Sequence, residues 1–127
     1  MKRRTFLRRL LGTLCAVATG SHISKQRSPM LIQESPIAGF EYYRGDIVWP
    51  SLVVGEHLSL LRESNNEYDP DAVAVYFHNE QLGYVPRSEN GTIAQMLDRG
   101  ENLEARIRQL LTEDDPWKRV RIGIFLA

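Results

Sequence analysis

Ala72-Val73-Ala74-Val75-Tyr76-Phe77-His78-Asn79-Glu80-Gln81-Leu82-Gly83-Tyr84-Val85 decides the fold. Ala72 to Phe77 is a β-branched and aromatic run, Gln81 to Val85 is short enough to be its partner, and His78-Asn79-Glu80 supplies the turn of a hairpin. Upstream, His57 to Arg62 carries Leu58, Leu60 and Leu61, and Ile37 to Tyr43 reads as an opening strand. Downstream, Leu103, Ala105 and Ile107 alternate with Glu104, Arg106 and Arg108, while Val120, Ile122, Ile124 and Leu126 alternate with Arg119, Arg121 and Gly123. Period-two alternation of this kind predicts two half-buried strands. One helix interrupts them, over about 88–99: Ile93, Met96 and Leu97 share a helical face, Ser88 or Asn90 can cap its start, and Arg99 and Gly100 suit its end. The fold class is mainly β. Five or six short strands with one helix are expected to close into a small barrel over residues 36–127, because an open sheet would leave two unpaired edges.

The composition fits one ordinary domain. The chain has 127 residues, 43% of them apolar and 25% charged, with one Cys and a formal net charge of zero. A long disordered polymer, a disulfide-stapled miniature and a multi-span membrane protein each need a different composition. The zero is a sum of unlike parts. Lys2, Arg3, Arg4, Arg8 and Arg9 crowd the start with no acid among them, so from Thr19 onward 11 Lys and Arg face 16 Asp and Glu, a balance of −5. An acidic body disfavours indiscriminate, charge-driven binding to nucleic acid.

Residues 1–20 have the layout of a secretory signal: a basic start, the short apolar stretch Leu10 to Ala18, then small residues. Arg3-Arg4-Thr5-Phe6-Leu7-Arg8 resembles the twin-arginine export signal. The apolar stretch is too short for a permanent membrane span. A working signal implies an exported, periplasmic protein, and otherwise a cytoplasmic one. Cys15 falls inside the signal, so a processed chain has no thiol for a disulfide, a nucleophile or a metal. Residues 21–35 are polar, contain Pro29 and show no period, and are expected to be a flexible linker.

Catalytic machinery is not visible. No Ser stands in a Gly-x-Ser-x-Gly elbow, there is no phosphate-cradling Gly-Lys-Ser or Gly-Lys-Thr, and His57 and His78 lack a second His or Cys at ligand spacing. Asp69-Pro70-Asp71 behind Asn65-Asn66-Glu67 concentrates oxygens without the Asp-x-Asp-x-Asp-Gly order of a calcium loop. The expectation is a non-enzymatic protein with no cofactor and no metal. What does stand out is aromatic and polar residues at predicted strand ends: Tyr42-Tyr43-Arg44, then Asn65-Asn66-Glu67-Tyr68-Asp69, then Gly83-Tyr84-Val85-Pro86-Arg87. An unstacked base lying flat on a Tyr ring gains roughly 1–3 kcal/mol, and a neighbouring Arg can hold its phosphate.

At these residues the chain resembles the HIRAN domain, a module carried by Swi/Snf-type remodelling ATPases and found alone in bacteria. The likeness runs through Ala38-Gly39-Phe40-Glu41-Tyr42-Tyr43, through Leu60-Leu61-Arg62-Glu63-Ser64-Asn65-Asn66-Glu67-Tyr68-Asp69-Pro70-Asp71-Ala72-Val73-Ala74-Val75, and through Leu82-Gly83-Tyr84-Val85-Pro86-Arg87. It implies an OB-like barrel that in the eukaryotic remodeller captures the 3′ end of single-stranded DNA, with DNA repair as the setting. By position, Tyr42 and Tyr43 would stack on or flank the terminal nucleotides and Tyr68 would add a ring. Asp69 would accept from the 3′-hydroxyl, and Arg87 would pair with phosphate. Two positions depart from the eukaryotic pattern: Glu41 stands where that end-binder has a basic residue, and Tyr84 replaces a histidine. Arg44 can compensate from the other side. Two functions are therefore open, a monomeric module that binds single-stranded DNA at its 3′ end, or an exported domain that keeps the fold and binds another ligand, including a protein partner.

Overall fold

The computed structural model of the chain describes residues 28–127. Six antiparallel strands form one sheet: β1 (Met30–Pro36), β2 (His57–Arg62), β3 (Val73–Phe77), β4 (Glu80–Tyr84), β5 (Leu103–Leu110) and β6 (Val120–Leu126). Their order is β1-β6-β5-β2-β3-β4, so the expected hairpin is the β3–β4 edge, with Tyr76 opposite Gln81 and Phe77 opposite Glu80. The tight connection puts His78 at φ 53, a left-handed conformation more often taken by Asn, Asp or Gly. Three short helices connect the strands, α1 (Gly45–Val48), α2 (Gly91–Asp98) and α3 (Pro116–Arg119). The predicted helix is α2: Ile93 is fully buried on its inner face, and Gly100, at φ 82, closes it.

Two expectations about the start of the domain are corrected. Residues 30–35, read as the end of a polar linker, lie in β1, which pairs with β6 from Met30 opposite Leu126 to Pro36 opposite Arg121. Its polar residues belong to the fold because they have partners. Ser35 is fully buried and donates to Glu89 Oε1 at 2.9 Å, while Gln33 Nε2 donates to Ser35 Oγ and to the Glu89 carbonyl, each at 2.9 Å. Conversely, Ile37 to Tyr43 is not a strand. Gly39 takes φ 76, and Phe40–Tyr42 winds into one 3-10 turn, the Tyr42 N–H donating to the Gly39 carbonyl at 2.9 Å.

Only Ala38 of that segment pairs as a strand would, and it joins the two ends of the sheet. Leaving β1 at one edge, the chain crosses to the other edge, β4, where Ala38 and Tyr84 exchange backbone hydrogen bonds of 2.8 and 2.9 Å. This seam gives the sheet its barrel character. Gly83 makes it possible: its φ is 148, and a Cβ there would lie 2.2 Å from the Ala38 carbonyl oxygen. Inside, Val73, Val75, Leu82, Ile107, Ile122 and Ile124 pack from the strands, and Ile93 from α2. Phe40 plugs one end, fully buried, its ring edge-on to Trp49 at 6.1 Å and close against Gly45. Arg119 covers the plug, its guanidinium 4.2 Å from the centre of the Trp49 ring and paired with Asp46.

Candidate functional site

Three segments meet beside the seam. The turn after Ala38 brings Tyr43, the β2–β3 loop brings Asn66, Tyr68 and Asp69, and the chain leaving β4 brings Tyr84 and Arg87. With Ala38, Ala72 and Val85 they line an open pocket of about 380 Å³. The loop is shaped by its own side chains. Asn66 Oδ1 accepts from the backbone N–H groups of Tyr68 at 2.9 Å and Asp69 at 3.1 Å, and Asp69 Oδ1 accepts from the N–H of Asp71 at 3.0 Å. Turned outward by these bonds, Tyr68 is 79% exposed. Asp69 is fixed from the interior side as well: the buried Asn90 donates Nδ2 to Asp69 Oδ2 at 2.8 Å. Each carboxylate oxygen thus holds one bond within the protein and keeps a lone pair for a further donor.

The opposite wall is aromatic. Tyr43 and Tyr84 meet edge to face, 5.7 Å between ring centres and 70° between planes. Tyr84 Oη donates to Glu63 Oε1 at 2.8 Å, and the same oxygen accepts from Asn66 Nδ2 at 3.0 Å, so one carboxylate ties the wall to the loop. Burial is the main reason that the Tyr84 phenol is pushed up to about 12, with Glu63 adding to the effect and Gln81 opposing it. It is therefore a neutral donor throughout the physiological range.

The cation is free of internal partners. Among the described residues Arg44, Arg62, Arg106, Arg108, Arg119 and Arg121 each have a carboxylate partner within salt-bridge distance, whereas Arg87 and Arg99 are exposed and have none, and of these two only Arg87 lines the pocket. A guanidinium at the rim of an aromatic pocket, with its donors uncommitted, suits an anion brought in by a ligand.

Of the six residues singled out in the sequence, Tyr43, Tyr68, Asp69 and Arg87 share this pocket. Tyr42 stands outside its lining, 82% exposed, although its ring edge and that of Tyr43 both lie near Gly39. Arg44 also lies outside, its Nε donating to Glu80 at 2.8 Å. Tyr84 and Asn66, which stand out in the sequence without an assigned role, complete the walls, and the structure adds Glu63 and Asn90 as supports. Asn90 carries no sequence signal for this part, because an Asn before a helix reads as a cap. It occupies the cap position, yet its side chain makes no cap bond and serves Asp69 instead. No cluster of three or more His, Cys, Asp or Glu among the described residues could hold a metal ion, and no described helix is long and apolar enough to cross a membrane.

Comparison with known proteins agrees with this architecture. A crystal structure of a protein from Lactobacillus plantarum superposes with a TM-score of 0.66 at 28% identity, over 78% of this chain and 95% of that one. The crystal structure of the HIRAN domain of human HLTF superposes with a TM-score of 0.57 at 23% identity, over 73% of each chain. No curated protein matches the sequence significantly. The family model for the HIRAN domain matches residues 31–126, a span that runs from β1 to β6, and the chain belongs to the HIRAN domain family.

Proposed function

We propose that the chain is a non-catalytic module that binds single-stranded DNA and reads its 3′-hydroxyl end in the tyrosine pocket. The observation that carries this reading is the convergence of Tyr43, Tyr68, Asp69 and Arg87 on one open concavity. Rings offer apolar faces to unstacked bases, and Arg87 offers donors to a phosphate. Asp69 supplies the discrimination. A free hydroxyl can donate to its carboxylate, whereas a phosphodiester or terminal phosphate brought there meets like charge, so one group favours ends and disfavours continuous strands. The acidic body limits non-specific attraction, which leaves the pocket to set affinity. The test compares a short oligonucleotide ending in a 3′-hydroxyl with the same strand ending in a 3′-phosphate. Preference for the hydroxyl, weakened by Asp69→Asn, is expected; equal binding of both, or of neither, refutes end reading.

A second reading rests on Arg3-Arg4 and on Glu41: an exported domain that keeps the fold and uses the pocket for another ligand. Fractionation separates the two. A short, processed chain in the periplasm that loses its export when Arg3-Arg4 becomes Lys-Lys supports export, and a full-length protein confined to the cytoplasm removes it.

A further inference from the structure

A second concavity lies on the outer face of the sheet where β1, β6 and β5 run side by side. It measures about 470 Å³ and shares no lining residue with the tyrosine pocket. Register explains it. Gly123 of β6 lies between Glu34 of β1 and Arg106 of β5, and its missing side chain leaves room for neighbouring side chains to pack inward. A Cβ there would come 3.0 Å from both Arg108 Cγ and Phe125 Cε1, so these two side chains close over the glycine. Around the concavity stand Arg106, Arg108 and Arg121.

This concentration of arginines is out of keeping with the domain, where residues 28–127 hold 9 Lys and Arg against 16 Asp and Glu. The side chains are also ordered. The Arg106 and Arg108 guanidiniums lie 5.5 and 6.0 Å from the centre of the Phe125 ring, and stacking of this kind occupies guanidinium faces while leaving the N–H edges available. Glu34 holds Arg108 and Arg121 with one oxygen each, both at 3.3 Å, and Arg106 reaches Glu104 through Nη2 at 2.8 Å. Two carboxylates cannot saturate three guanidiniums. Arg106 Nε is buried and finds no acceptor among the described residues.

We propose that this face is a second anion-binding site, built for a phosphoryl group. With oxygens directed to several sides, a phosphoryl group can bridge three guanidiniums, which a planar carboxylate such as Glu34 reaches only in part. Glu34 then acts as a resident competitor: it keeps Arg108 and Arg121 in place, and it sets a threshold that the ligand must exceed. The phosphoryl group can belong to a free phosphate monoester or to a nucleic-acid backbone, and the probes distinguish them.

The test is an NMR titration of the full chain, following the Arg108 and Arg121 Nε–H signals and the Phe125 amide, with inorganic phosphate, thymidine 5′-monophosphate, thymidine, and a single-stranded oligonucleotide. The monophosphate and inorganic phosphate shift these signals and thymidine does not. Shifts with the oligonucleotide as well assign the site to backbone phosphates, and silence of the oligonucleotide alone assigns it to monoesters. Arg121→Ala is expected to weaken phosphate binding roughly tenfold and Glu34→Gln to strengthen it several-fold, while Tyr68→Ala leaves it unchanged. Arg121→Lys, which keeps the charge but loses the fork, covers the case in which the alanine variant does not fold, and it too is expected to bind more weakly. Absence of shifts with every phosphate probe, in the natural chain and in Glu34→Gln, overturns the site, as does binding that survives in both Arg121 variants. Because Tyr68 is outside this site, failure here leaves the tyrosine pocket untouched, and failure of end reading leaves this one.

Discussion

The tyrosine pocket and the arginine face are both concave, but they are built in opposite ways. In the pocket, loop segments carry the reacting groups, the supports are half-buried or buried, and the cation has no internal partner. On the arginine face, regular strand alternation carries the groups, and every arginine has a carboxylate within reach. A charge held by its own protein must exchange one partner for another, so its net gain on binding is small; an uncommitted charge has only its hydration to give up. The difference makes the pocket the stronger candidate for the primary ligand and the arginine face the weaker, more salt-sensitive one.

The largest expected effect tests whether the pocket depends on barrel closure. Gly83→Ala places a methyl group against the Ala38 carbonyl at a φ that L residues rarely adopt. It is expected to cost about 3 kcal/mol or more and to lower the urea midpoint sharply. An unchanged midpoint would mean that the Ala38–Tyr84 seam does not hold the two edges together. Next comes Asn90→Ala, which strips Asp69 of its interior donor. A loss of roughly 1–3 kcal/mol in unfolding is expected, with weaker oligonucleotide binding although Asn90 does not line the pocket. Full binding in this variant would show that Asp69 needs no positioning.

Surface changes in the pocket should separate affinity from stability. Tyr68→Ala is expected to lose roughly 1–3 kcal/mol of oligonucleotide affinity, and Arg87→Ala to lose affinity while lowering the salt slope by about one unit. Both should leave the unfolding free energy within about 0.5 kcal/mol of the natural chain, because neither side chain is buried. The smallest effect is on pH dependence. The Tyr84 phenol sits near 12 in the folded chain against 10 for a free tyrosine, so the stability it contributes is complete below pH 10 and is lost as pH rises through 12. A spectroscopic titration of the natural chain should show one late tyrosine that is absent in Tyr84→Phe. Ordinary titration of all the tyrosines would remove the proposed burial of this wall.

How much of this was legible in the sequence depended on whether a residue's partner was near or far along the chain. The β3–β4 hairpin, β5, β6 and α2 follow from local periodicity and turn chemistry, and they fold as read. β1 did not follow, because the polarity of Gln33 and Ser35 is satisfied by Glu89, more than fifty residues away, and no local pattern records that bond. The opening strand failed for the reverse reason: Ile37 to Tyr43 is apolar enough for a strand, but the left-handed turn at Gly39 and the burial of Phe40 take it out of the sheet. Four of the six site residues converge because three segments far apart in sequence meet beside the seam. Glu63 and Asn90 went unseen as supports, since a buried polar pair is defined only by tertiary contact. In the sequence Arg106, Arg108 and Arg121 mark only the wet side of two strands, and their clustering depends on Gly123 and on the register of β1.

The most direct measurement is a shift map of the full chain with a short single-stranded oligonucleotide bearing a 3′-hydroxyl. The predicted result is that the first and strongest changes fall on Tyr43, Tyr68, Asp69, Tyr84 and Arg87. Changes confined to Arg106, Arg108, Arg121 and Phe125, with those five unmoved, would contradict the assignment of the pocket as the DNA-end site.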